Sequence, residues 1–138
     1  MDGINIINRS PAIEEYLFLR DSVGWGIPDE EAVKESIRNA LFSICLEKDN
    51  KLIGCGRVVG DGGLYFYVQD IIVLPEHQGK GYGKLIMDEI MSYINRKARK
   101  GAFIGLFSAK GIERFYRKYG FIERPGDKFG AGMFFVIK

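Results

Sequence analysis

The stretch Ile71-Ile72-Val73-Leu74-Pro75-Glu76-His77-Gln78-Gly79-Lys80-Gly81-Tyr82-Gly83-Lys84-Leu85 reads as a buried strand, a tight turn and the start of a long helix. The apolar run stops at a proline, which cannot continue a ladder. Three glycines then occupy alternate positions where the helix begins. A helix N-terminus carries unpaired N–H groups and the positive end of the dipole, and glycine lets that backbone come close to an anion. Lys80 and Lys84 add positive charge. The physics predicts a phosphate or pyrophosphate site over 78–84. Two familiar phosphate loops do not fit. A dinucleotide fingerprint needs a third glycine where Lys84 or Ile86 stands, and a P-loop needs Ser or Thr after its lysine, where Leu85 stands.

Outward from this turn, the helix runs from Gly81 to about Ala98, with an apolar stripe of Tyr82, Leu85, Ile86, Ile90, Met91 and Ile94. A short buried strand, 102–107, follows. A strand–helix–strand unit of this kind makes its two strands parallel. Upstream, 42–48, 51–59 and 64–74 alternate as strands, with Asp49-Asn50 and Gly60-Asp61-Gly62-Gly63 as hairpin turns. Near the start, a strand over 3–8 precedes a helix from Pro11 to about Val23, with Ser10 as N-cap and Ile13, Tyr16, Leu17 and Arg20 at helical spacing. Asp29 caps a second helix over 30–41. Near the end, a helix over 112–119 and a last strand over 132–137 complete the order β-α-α-β-β-β-α-β-α-β. This is an α/β (α+β) fold with a mixed, mostly antiparallel central sheet and helices on both faces.

The 138 residues, 46% hydrophobic and 28% charged, suit one domain over 1–138 with its own core. A net charge of +2 gives no field for nucleic acid or a membrane surface. The basic run Arg96-Lys97-Ala98-Arg99-Lys100 reads as a solvated helix end. No apolar run approaches a bilayer span. The start MDGINIINRSP lacks a signal-peptide pattern, which sets the expectation of a cytoplasmic protein. Two cysteines, Cys45 and Cys55, and the lone His77 are too few for a zinc site, so no metal is expected. Both cysteines read as buried free thiols, and His77 as solvent-facing.

A second motif lies downstream, Phe115-Tyr116-Arg117-Lys118-Tyr119-Gly120-Phe121. By spacing alone, Ile112, Phe115, Tyr116 and Tyr119 form a core-facing stripe. Together with Gln78, Gly81 and Gly83, and with Val73-Leu74-Pro75 before them, it resembles the GNAT superfamily of acetyl-CoA-dependent N-acetyltransferases. The superfamily signature is Gln/Arg-x-x-Gly-x-Gly/Ala at a helix start, followed later by Phe-Tyr-x-x-x-Gly-Phe.

The resemblance implies a sheet splayed between its two parallel strands, with acetyl-CoA as co-substrate in the gap. It implies that Gln78, Gly79, Lys80, Gly81, Tyr82, Gly83 and Lys84 hold the pyrophosphate. The main chain of Ile71, Ile72 and Val73 would hold the pantetheine arm. Tyr116 would be the general acid at the departing thiolate, its phenol protonated at neutral pH. The asparagine that relatives often carry seven residues before this tyrosine is Ala109 here, beside Ser108.

Asp70, an acid in an apolar strand, is read either as the general base or as a structural acid paired with a donor such as Arg57; ordered water is the other candidate for the amine proton. By the same resemblance the first two helices and their junction cover the amine acceptor. Trp25, in that junction, is read as a substrate-stacking ring or a core plug, and Tyr67, beside Asp70, as a substrate contact. The acceptor is a small-molecule or peptide amine. The final strand offers an edge for a homodimer, a common arrangement in that superfamily. A non-catalytic acyl-CoA-binding module on the same fold is the alternative reading.

Overall fold

A computed structural model describes residues 3–138. The chain divides into two compact units, Met1–Leu106 and Phe107–Lys138.

The first unit holds one five-stranded sheet in the order β1-β2-β3-β4-β5. β1 (Ile4–Ile7), β2 (Phe42–Lys48), β3 (Lys51–Gly60) and β4 (Tyr65–Val73) pair antiparallel, and β5 (Phe103–Gly105) pairs parallel with β4. Asp49 and Asn50 close the β2–β3 hairpin with both φ values positive, at 52° and 63°, as a type I′ turn requires. The Asp61 carboxylate accepts from the N–H groups of Gly63, Leu64 and Tyr65, which shapes the next hairpin. Cys45 and Cys55 stand opposite one another in the β2–β3 register, buried and free.

Helices cover both faces. α3 (Tyr82–Lys97) buries Tyr82, Ile86, Met87, Ile90 and Ile94. Met87 takes the place expected for Leu85 and Met91, which are half-buried. α3 lies over Gly54 and Gly56 of β3. A Cβ on Gly56 would stand 2.5 Å from Ile86 Cγ2, 2.8 Å from Ile71 Cδ1 and 3.0 Å from Ile90 Cδ1. Gly56→Ala is therefore expected to cost about 1–3 kcal/mol through overpacking, measurable as a lower urea midpoint with an unchanged m-value. An equal midpoint would mean that α3 moves away freely.

The opposite face carries α1 (Ile13–Ser22) and α2 (Glu30–Arg38). Asp29 caps α2 as expected, its carboxylate accepting from Ala32 N–H at 3.0 Å. α1 departs from expectation: it starts after Ala12, not at Ser10. Arg9 bridges Glu15 and Glu47, each at 2.9 Å, and the Ser10 hydroxyl points to Ser43 Oγ. Glu15 is left to accept from Ala12 N–H at 2.8 Å.

The second unit has one short helix, α4 (Glu113–Arg117). The strand expected over 132–137 is not formed: these residues adopt no regular structure and find no ladder partner among the described residues. β5 is likewise shorter than the expected 102–107.

Candidate active site

β4 bends at Asp70. The β3–β4 register passes from Cys55 opposite Ile72 to Arg57 opposite Gln69, so Asp70 and Ile71 together face Gly56. This is a bulge, and Asp70 takes its left-handed residue, with φ at +59°. The bulge reverses which main-chain groups face outward. Leu74 N–H donates to the Ile53 carbonyl at 2.9 Å. By the two-residue alternation of an antiparallel ladder, Ile72 also faces β3, while Ile71 and Val73 turn their N–H and C=O to the other edge. Among the described residues, β5 pairs with that edge only opposite Tyr65, Phe66 and Tyr67, and no strand pairs with it beyond Tyr67.

The glycine turn follows at once. Pro75–His77 make one turn of 3-10 helix. Gln78 Nε2 donates back to the Val73 carbonyl at 2.9 Å, fastening the turn to the end of the strand. Gly79 and Gly81 have φ of +77° and +87°, a region that L side chains enter at a cost. Gly81 is the N-cap of α3, so no side chain caps this helix, and its first turn holds no acid. α1 and α2 each place two acids there. The first intrahelical bond runs from Leu85 N–H to the Gly81 carbonyl, so the N–H groups of Tyr82, Gly83 and Lys84 precede the ladder. This is an exposed, uncapped, acid-free N-terminus, and its donor set suits a pyrophosphate.

The side chains divide the work. The Tyr82 ring is buried, 6.3 Å from the His77 ring. Lys84 pairs with Asp88 at 2.8 Å, while Lys80 is exposed. His77 is not solvent-facing as expected. It is half-buried, and its Nδ1 is buried with no hydrogen-bond partner among the described residues.

Asp70 is buried and accepts three side-chain hydrogen bonds. Oδ2 accepts from Arg57 Nε and from Tyr16 OH, both at 2.8 Å, and Oδ1 accepts from Gln69 Nε2 at 3.0 Å. The side chain is 1% exposed. The cavity beside it, lined in part by Tyr16, Ser43 and Arg57, measures about 10 Å³, too small for an amine. The network extends outward both ways. Arg57 donates to the Ser36 carbonyl and hydroxyl on α2. Arg20 donates to Tyr16 OH and to the carbonyls of Trp25 and Gly26. Burial raises the Tyr16 phenol above its ordinary pKa, and the Asp70 charge adds to the effect.

Trp25 is 40% exposed, with the Arg20 guanidinium 5.9 Å from its ring centre, which is not the environment of a core plug. Tyr67 is half-buried and shares a face of β4 with Gln69. Sequence reasoning points to Arg57 but misses Tyr16, Arg20 and Gln69 as one network. The i, i+4 spacing of Tyr16 and Arg20 is its visible signal.

In the second unit, Tyr116 lies among aromatic rings, edge-on to Phe115 at 5.0 Å and to Phe121 at 6.3 Å. Gly120, at φ +94°, turns the chain so that Phe121 N–H reaches the Tyr116 carbonyl. Burial raises the Tyr116 phenol above its ordinary pKa, which keeps the proton in place at neutral pH. Ser108 spends its hydroxyl on the Ala109 carbonyl at 2.7 Å. No helix is long and apolar enough to cross a membrane, and no cluster of His, Cys, Asp or Glu suits a metal, among the described residues.

Known proteins are similar to this chain. Residues 40–123 match the family model of the acetyltransferase (GNAT) domain. An uncharacterised N-acetyltransferase (ycf52) of Pyropia yezoensis is 32% identical over 122 residues, 86% of this chain and 69% of that protein. A chloroplastic GCN5-related N-acetyltransferase of Arabidopsis thaliana is 30% identical over 82% of this chain and 57% of that protein. The chain thus spans roughly two thirds of the one and little more than half of the other.

Among solved structures, a probable acetyltransferase of meticillin-resistant Staphylococcus aureus superposes with a TM-score of 0.88 at 35% identity, covering 97% of this chain and 99% of that one. A GNAT-family acetyltransferase of Elizabethkingia anophelis, solved with acetyl-CoA bound, shares the fold with a TM-score of 0.66 at 20% identity, covering 91% of this chain and 80% of that one. With the uncapped glycine turn, the bulged strand and the half-open parallel pair in place, the chain belongs to the GNAT family of acetyltransferases.

Proposed function

We propose that the protein moves an acetyl group from acetyl-CoA to a primary amine by direct attack. One observation carries this reading: the open edge of β4 leads straight into an acid-free helix N-terminus. The first suits the amide arm of pantetheine and the second its pyrophosphate. The N–H and C=O of Ile71 and Val73 would bond the arm, and the Gln78 contact would hold the turn ready.

In the reaction the neutral amine nitrogen attacks the thioester carbonyl carbon. Charge collects on the carbonyl oxygen, where Val73 N–H is the donor we assign. The C–S bond then breaks, and the thiolate takes the phenol proton of Tyr116, a role carried by the motif Phe115-Tyr116 with Gly120-Phe121. The amine proton passes to water or to Asp70. Water is our choice, because both carboxylate oxygens of Asp70 are already engaged. The acceptor would lie against the α1–α2 junction that presents Trp25, with Tyr67 near. Two buried free thiols fit a reducing compartment such as the cytoplasm.

Tyr116→Phe is expected to lower turnover by about 10²- to 10³-fold, with acetyl-CoA affinity nearly unchanged by calorimetry. Thiol release measured over an amine panel reads the first quantity. Unchanged turnover would return Tyr116 to packing alone. Tight acetyl-CoA binding with no thiol release from any amine would favour an acyl-CoA-binding module instead.

A further inference from the structure

The first unit carries a second concavity, at the β1–β2 end of its sheet. β1 pairs with β2 as far as Ile7 opposite Cys45, and the chain leaves the ladder at Asn8. Asn8, Arg9 and Ser10, with Ser43 of β2 and Tyr93 and Arg96 of α3, line a groove of about 370 Å³, a volume that suits a small ligand. Tyr93 stands well along α3 from Tyr82, about 16 Å at the rise of a helix. The groove borders β2, two strands away from β4, where the glycine turn begins.

The lining holds two arginines and no carboxylate. Arg9 is committed, since it bridges Glu15 and Glu47. Arg96 is not. Its Nε donates to the Ser92 carbonyl at 3.3 Å, and its guanidinium stands 6.0 Å from the Tyr93 ring centre. Its two terminal nitrogens have no partner among the described residues. Tyr93 is itself stacked on Phe42, with ring centres 4.6 Å apart and planes 12° from parallel. The stack holds the ring beneath the guanidinium before any ligand arrives, which lowers the ordering cost of binding.

Ser43 is an independent sign of a ligand. Its side chain sits between Phe42 and Ile44 in the strand and the residue is 7% exposed. Its hydroxyl meets Ser10 Oγ at 3.4 Å, longer than an ordinary O–H···O bond. Ser10 donates in that contact, so the Ser43 proton has no acceptor among the described residues. A buried hydroxyl so poorly paired costs stability until something completes it. The cavity on its other side, beside Asp70, measures about 10 Å³, which leaves the groove as the place for a ligand. An arginine fork with free ends, next to a hydroxyl with a free proton, matches the oxygens of a carboxylate or phosphate. Lys97, Arg99 and Lys100, exposed at the same helix end, add positive potential.

We propose that this groove is a second ligand site, which binds the carboxylate or phosphate group of a small molecule through Arg96 and Ser43. Arg96 grips the anion with its two terminal nitrogens, and Ser43 donates its free proton to it. The site is separate from the glycine turn and does not depend on what that turn holds.

Heteronuclear NMR spectra of the acetyl-CoA-loaded protein test this, with ionic strength held by sodium chloride. Inorganic phosphate and acetate are titrated separately. At least one should shift the Ser43 amide and the Arg96 Nε–H with a midpoint of about 1 mM, and the tighter of the two names the group. Arg96→Gln should raise that midpoint by about 10- to 100-fold and Ser43→Ala by about 2- to 10-fold, with the spectrum of the fold preserved. Lys100→Gln removes an exposed charge outside the groove and should change the midpoint by less than about threefold. No shift of these signals by either anion at about 20 mM, or equal weakening by Arg96→Gln and Lys100→Gln, would overturn the proposal. Failure of acetyl-CoA to load strikes the coenzyme reading instead, and the same titration then runs on the free protein.

Discussion

Gly81→Val is expected to weaken acetyl-CoA binding by about 30- to 1,000-fold while the protein stays folded. Gly81 is exposed, caps α3 and holds φ at +87°. A β-branched residue there costs about 1–3 kcal/mol if the backbone stays put. If the backbone relaxes toward negative φ, the N–H groups ahead of Leu85 turn away from the pyrophosphate proposed to bind there. Breaking each charge-assisted hydrogen bond costs a further ~1.5–3 kcal/mol. Lys80→Ala supplies the contrast. It removes an exposed charge but leaves the turn intact, and should cost no more than about 1 kcal/mol of affinity. Calorimetric titration with acetyl-CoA separates the two variants, and thermal melting without ligand checks that both are folded. Equal affinities for wild type and Gly81→Val would remove the pyrophosphate from this turn.

That turn was legible because its requirements are local. Glycines at 79 and 81 are demanded by backbone angles of the turn itself, and the proline and the helical stripe beside them fix where strand and helix meet. The hairpins were legible for the same reason, since Asp49-Asn50 and Asp61 do their work within a few residues. The N-terminus of α1 was not. Ser10-Pro11 is a good local start, but Arg9 reaches across to Glu47 on β2, and the chain yields to that distant contact. The final strand failed more completely. The run Met133–Ile137 has every local property of a strand, yet a strand exists only with a partner, and none stands beside it among the described residues. Burial of Gly54 and Gly56 beneath α3 was equally invisible, because a close approach of two elements leaves no periodicity.

The candidate site was half legible. An acid in an apolar strand marks Asp70 at sight, and Arg57 was its natural partner. That the two meet on a bulge could not be read, since alternate burial along β4 passes through Asp70 without a break: Phe66, Val68, Asp70 and Ile72 are all buried. The bulge shows only in the pairing register. It also puts Gln69 and Asp70 on the same side of the sheet, so that both side chains join one network with Tyr16 and Arg20.

This network makes Asp70 the position where a single charge has the largest structural effect. Asp70→Ala should lower stability by about 3–5 kcal/mol, the cost of leaving a buried arginine without its partner. Among the described residues, Arg57 keeps its hydrogen bonds to Ser36 and its place over the Tyr16 ring once the carboxylate is gone. Asp70→Asn separates charge from backbone, because asparagine also accepts the left-handed region and Asp70 sits at φ +59°. It should cost less, about 2–3 kcal/mol, and lower the melting temperature by roughly 10 °C.

Turnover of the folded Asp70→Asn protein then tests chemistry alone. With water as the proton acceptor, kcat should stay within about tenfold of wild type, while the KM for the amine rises as Tyr16 and Arg20 loosen the Trp25 junction. A general base removed from its reaction would instead lower kcat by about 10²-fold or more, and would do so with the amine KM unchanged. The geometry favours the first result: the carboxylate already serves three donors, is 1% exposed and borders a cavity of about 10 Å³. An amine has no direct path to it, and a proton can reach it only by displacing a bond that holds the bulge in shape.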